Sequence, residues 1–137
     1  MFAELAIMQL FLDEGWEARW LESYGRGQRN IVCLSEWSDL PYSEQTECPI
    51  ENESITNMLR GIAELNDGNF NGCWDVLAWK GDRIIFAESK RLKRDKIRDT
   101  QTRWLDAALR YGLKPENFLV VEWDGTIDYK YVNRIKT

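Results

Sequence analysis

Gly72-Cys73-Trp74-Asp75-Val76-Leu77-Ala78-Trp79, then Lys80-Gly81-Asp82, then Arg83-Ile84-Ile85-Phe86-Ala87-Glu88-Ser89-Lys90, is the stretch that decides the fold. Two apolar runs flank a short polar turn, which predicts a β-hairpin with strands over Phe70–Trp79 and Arg83–Lys90. Side chains alternate along a strand. Glu88 and Lys90 therefore share a face with Ile84 and Phe86, and Ser89 points the other way. With the turn centred on Gly81, Asp75 falls opposite Glu88, within cross-strand reach. A carboxylate and an ammonium closing an apolar row are costly to bury unless paired or metal-bound. Two facing carboxylates repel each other, and a divalent cation relieves the repulsion. Lys90 beside them would orient or deprotonate a water, or balance charge on a phosphate.

Outward from the hairpin, apolar spacing predicts a helix over Phe2–Asp13 with Gly15 as its C-cap, and a strand over Trp16–Tyr24. Gly25-Arg26-Gly27 reads as a turn and Asn30–Leu34 as the partner strand. Glu36–Glu53 is acidic, contains Pro41 and Pro49, and reads as a long surface loop. Ile55, Met58, Leu59, Ile62 and Leu65 share a helical face over Ser54–Leu65, stopped by Asn66-Asp67-Gly68. Ile97, Gln101, Trp104, Leu105, Ala108 and Leu109 form the inner stripe of a helix ending at Gly112. Phe118–Trp123 is a last buried strand, followed by a polar tail in which Tyr129 and Tyr131 have an edge-strand pattern. The order α-β-β-α-β-β-α-β predicts a single α/β (α+β) domain over residues 1–137 with a central mixed β-sheet flanked by helices.

Composition narrows the chemistry. The 137 residues, 44% hydrophobic and 30% charged, suit one globular domain. There is no histidine, which excludes Ser-His-Asp and Cys-His units and His-ligated metals. Cys33, Cys48 and Cys73 lack the paired spacing of a zinc site and read as reduced, partly buried thiols. Carboxylates and water as ligands select Mg²⁺ or Mn²⁺. The longest apolar stretch, Leu5–Leu12, is too short to span a bilayer, and Glu4 beside it argues against a signal peptide, so a cytoplasmic protein is expected.

The net charge of −5 hides an asymmetry. Residues 1–89 carry 6 basic and 16 acidic side chains. Between Lys90 and Arg103, by contrast, Lys90, Arg91, Lys93, Arg94, Lys96, Arg98 and Arg103 face only Asp95 and Asp99. A basic run that starts at a candidate catalytic lysine predicts phosphate binding. Trp16, Trp20, Trp74, Trp79 and Trp104 fall on strand and helix faces, which predicts core packing ahead of base stacking.

Asp75, Glu88-Ser89-Lys90, Asp95, Gln101-Thr102-Arg103-Trp104-Leu105 and Tyr111-Gly112-Leu113, taken together, resemble the VRR-NUC branch of the PD-(D/E)xK, or restriction-endonuclease-like, nuclease superfamily. The resemblance covers about residues 70–123. It implies Mg²⁺- or Mn²⁺-dependent endonuclease action on DNA phosphodiesters, often in branched or structured DNA. It assigns metal binding to Asp75, Glu88 and the Ser89 backbone carbonyl, catalysis to Lys90, and support of the site to Gln101. A further acidic ligand is expected from the first helix, Glu4 first and Glu14 second. Lys93, Arg94, Lys96, Arg98 and Arg103 would grip phosphates, and analogy implies a homodimer. Trp74 stands where the family has Pro, Ser89 where Val is usual, and Arg98 at a helix N-cap where Ser would be natural, with Asp99 as an alternative cap. The acidic segment 35–67 reads as an insert without counterpart. An inactive nucleic-acid- or protein-binding module, a metal-dependent RNase, and an interaction protein with a chance D…E-x-K remain as rival readings.

Overall fold

The computed structural model describes residues 3–22, 31–41, 44–91, 96–123 and 133–136. Among the described residues, three α-helices and six strands follow in the order α1 (Ala3–Asp13), β1 (Glu17–Glu22), β2 (Val32–Leu34), α2 (Glu53–Leu65), β3 (Val76–Lys80), β4 (Arg83–Arg91), α3 (Asp99–Tyr111), β5 (Phe118–Trp123) and β6 (Asn133–Lys136). A short 3₁₀ turn, Pro115–Asn117, leads into β5. The strands form a single mixed sheet in the order β2-β1-β3-β4-β5-β6. Only β4 and β5 run parallel, because α3 carries the chain back between them.

Alternation along the central strands sends apolar side chains to both faces, so both faces need cover. Val76, Ala78 and Ala87 face α1, where Ile7, Met8, Trp16, Ala18 and Val121 complete one core. Leu77, Trp79 and Phe86 face α2 and α3, where Ile55, Met58, Leu59, Ile62, Trp74, Trp104 and Phe118 complete the larger one. The five tryptophans at 16, 20, 74, 79 and 104 are all buried. Gly61 lets α2 meet α3 closely, since a Cβ there would lie 2.1 Å from the Tyr111 ring.

The segment 35–67 is therefore structural cover for one face of the sheet. Its Ile50, Ile55, Met58, Leu59, Ile62 and Ala63 are buried. Its irregular part is pinned down: Cys48 N–H donates to the Cys33 carbonyl at the sheet edge (2.7 Å), and Arg19 Nε donates to the Cys48 carbonyl (2.9 Å). The three cysteines are free and half-buried.

Several boundaries differ from expectation. The strand predicted over Phe70–Trp79 begins only at Val76. Phe70–Asp75 is an irregular crossing held by a turn (Cys73 N–H to Phe70 carbonyl, 3.0 Å) and by Gly72 at φ 80°. Ile97 precedes α3 and Leu109 rides its edge, so both are exposed, and Leu65 is exposed at the end of α2. The polar tail contributes β6, antiparallel to β5. The predicted turn at 25–27, Lys93, Arg94, Asp95, Tyr129 and Tyr131 lie outside the described residues. No helix among the described residues is long and apolar enough to cross a membrane.

Candidate metal and phosphate site

The β3–β4 register pairs Val76 with Ala87 and Leu77 with Phe86. Asp75, one residue before β3, is thereby opposite Glu88, at the end of the hairpin away from its turn. Glu88 is 2% exposed, and one carboxylate oxygen, Oε1, accepts from the Asp75 backbone N–H (3.0 Å). Its other oxygen, Oε2, accepts from Gln101 Nε2 (2.5 Å) and pairs with Lys90 Nζ (3.2 Å). Lys90, also buried, donates to Gln101 Oε1 (2.9 Å). Glu88, Lys90 and Gln101 thus form a closed buried network in which each charge has a partner, the condition for tolerating charge in a core.

Asp75 is half-buried at the open side of this network. Burial pushes its carboxyl well above the usual carboxylate range. The negative charges of Glu88 and Glu4, a side-chain hydrogen bond with Glu88, and the charge of Glu22 push it the same way. The two carboxyl groups are therefore close neighbours across the hairpin, with acidic residues around them. Glu4 reaches this field from the first turn of α1. Glu22 reaches it from the end of β1, whose Trp20 pairs with Val76. Glu22 has no distinguishing pattern in sequence, since only the β1–β3 register brings it near Asp75.

Glu14 is not at the site. It is exposed at the far end of α1, where Lys80 Nζ donates to its backbone carbonyl (3.0 Å). There it borders a cavity of about 710 Å³ between Phe11, Trp16, Arg83 and Phe118, at the turn end of the hairpin. Ser89 points to the opposite face, as alternation requires, and its hydroxyl accepts from Trp123 Nε1 (2.9 Å). Arg98 is the N-cap of α3, and the capping contact is its own backbone N–H donated to Gln101 Oε1 (2.9 Å). Asp99 is the first helical residue and not the cap. Lys96, Arg98 and Arg103 are exposed at and just before the start of α3.

Burial also pushes the Cys33 thiol up to about 11 and raises Cys73 well above the ordinary thiol range. Both stay protonated at neutral pH, which leaves thiolate chemistry out of the site.

The donor set suits a hard cation. Asp75 and Glu88 offer carboxylate oxygens, and Mg²⁺ commonly takes one or two carboxylates and keeps its remaining sites for water. Among the described residues, no group of three His, Cys, Asp or Glu side chains is arranged to hold a metal. A cation held by the acidic pair would draw its further ligands from backbone oxygen, water or Glu4. No protein-family model, no curated protein and no solved structure matches the chain.

Proposed function

We propose that the chain is a restriction-endonuclease-like, metal-dependent nuclease that hydrolyses DNA phosphodiester bonds, with branched or structured DNA as its substrate class. The observation that carries this reading is the placement of Asp75 opposite Glu88, whose carboxylate accepts from the Asp75 backbone N–H, next to a buried Lys90 whose ammonium Gln101 holds in place. Facing carboxyl groups that repel each other, with proton affinity raised at Asp75, form a donor pair that a hard cation would stabilise.

Asp75 and Glu88 would hold Mg²⁺ or Mn²⁺, with the Ser89 carbonyl and Glu4 as further ligands. Bound there, the ion supplies Lewis-acid stabilisation of phosphate charge and a more acidic water. Lys90, fixed by Gln101, orients that water or balances the phosphate charge. Lys96, Arg98 and Arg103 attract and align the backbone of the nucleic acid. Two copies acting together would cut both strands.

The test is cleavage of plasmid, single-stranded and four-way-junction DNA, and of RNA, with Mg²⁺ or Mn²⁺ and with chelator. Metal-dependent DNA cleavage lost in Asp75→Ala supports the reading, and cleavage confined to RNA reassigns the substrate. A second reading, an inactive binding module of the same fold, is favoured by one feature: both Glu88 oxygens are already occupied by protein donors. Binding of junction DNA without cleavage of any substrate would establish it.

A further inference from the structure

The irregular segment ahead of Asp75 meets the first turn of α3 at two points. Gly72 lies so close to the Thr100 carbonyl that a Cβ on it would come within 1.9 Å of the oxygen. Trp74, 1% exposed, donates its indole N–H to the Gln101 carbonyl (3.2 Å), with its ring edge-on to Phe118 at 5.1 Å between centroids. These contacts flank the working residues on both sides. Asp75 follows Trp74 directly, and Gln101 is the residue whose side chain spans Glu88, Lys90 and the Arg98 N–H.

We propose that Trp74 is a positioning residue that docks the Asp75 segment onto the Gln101 turn and so sets the distance between the carboxylate pair and Lys90. The inference rests on the nuclease reading for its catalytic consequence, but its structural content stands apart from it. Besides the dock, the two segments meet through the Phe70 ring on Trp104, 6.0 Å between centroids and away from the site, and through the network itself. The Asp75 backbone N–H reaches Glu88, and Glu88 reaches Gln101, a two-link chain of side-chain bonds with freedom at each joint. The indole N–H and the Gly72 contact convert that chain into a closed frame, with backbone atoms of α3 as its fixed side. Trp is suited to this position because it fills the core with its ring and still presents one donor at the ring edge.

The experiment compares the wild type with Trp74→Phe, which keeps an aromatic ring against Phe118 and deletes the donor. Two readouts are taken: steady-state cleavage with Mn²⁺, and the side-chain amide signals of Gln101 in nitrogen-15 NMR of the protein without metal. The expected result is a fall in kcat of about 10- to 100-fold with KM for DNA unchanged, together with faster solvent exchange of the Gln101 side-chain amide. Should Trp74→Phe fail to fold, Gly72→Ala takes its place, since it spares the aromatic core and pushes the same segment off the Thr100 carbonyl. Wild-type kcat and unchanged Gln101 signals in a folded variant would overturn the proposal, as would loss of fold in both variants. If the wild type cleaves nothing, the nuclease reading fails, and the Gln101 signals alone still decide whether the dock exists.

Discussion

Asp75 carries a proton longer than a free carboxyl would, and that fixes the sign of its effect on stability. Its folded-state pKa lies above the unfolded value of about 3.9. Between those two values the native state holds more protons than the unfolded state, so stability falls as pH rises through that window and is lowest above it. A cation binding the pair acts in the opposite sense, and most strongly where both groups are ionised. Thermal melts of the wild type should therefore show a larger rise in Tm on adding Mn²⁺ at pH 8 than at pH 5. Asp75→Asn should be more stable than the wild type at pH 8 with chelator present, and should lose the Mn²⁺ effect. A pH-independent Mn²⁺ effect would contradict this. Lys90 lies on the inner face that strand alternation assigns to it. It is buried against Glu88 and Gln101, so Lys90→Ala strands the Glu88 charge and should cost about 3–5 kcal/mol in urea denaturation. Neutralising both partners, Lys90→Met with Glu88→Gln, should recover most of that loss.

At the scale of elements, the hairpin was the legible part. Strand alternation and a turn at Gly81 were sufficient to set Asp75 opposite Glu88 and Ser89 away from them, because both follow from a period of two and a fixed loop length. The stretch 70–75 was not legible. Its run of Phe70, Cys73 and Trp74 has strand composition, but Gly72 turns there under the pressure of the α3 backbone, a contact 28 residues away in the chain that no local pattern encodes. The Gln101 side chain was placed near the site by resemblance. Its double duty, capping α3 while gripping Lys90, follows from position N3 of the helix, where a Gln reaches back to the N-cap N–H. Glu14 failed for an equally physical reason: ten residues along a helix from Glu4 put it some 15 Å away, at the other end of α1. The amphipathic face of α2 was legible, but not that it covers the sheet, since a helical period does not say which surface the helix packs on. Ile62 is fully buried in it, so Ile62→Ala should destabilise the protein by about 2–5 kcal/mol in denaturant titration. A loss of under about 1 kcal/mol would show that α2 is not structural cover for the core.

The molecule as a whole is acidic, with its basic residues gathered where β4 ends and α3 begins. A net negative charge of this kind weakens encounter with DNA everywhere except at that corner. Binding should then fall steeply with salt, and removing Arg98 or Arg103 should lower the slope of log affinity against log salt by about 1 each, as read by fluorescence anisotropy on junction DNA. An unchanged slope in both variants would move the phosphate contacts elsewhere. The site lies on the same end of the sheet, where β3 and β4 leave the hairpin, with helices closing both faces behind it. A divalent ion between Asp75 and Glu88 is the centre of the proposed chemistry, and the most direct measurement is anomalous scattering from a crystal soaked in Mn²⁺. The expected result is a peak within coordination distance of both carboxylates that disappears in Asp75→Asn. A fully soaked crystal with no anomalous density at that pair would contradict it.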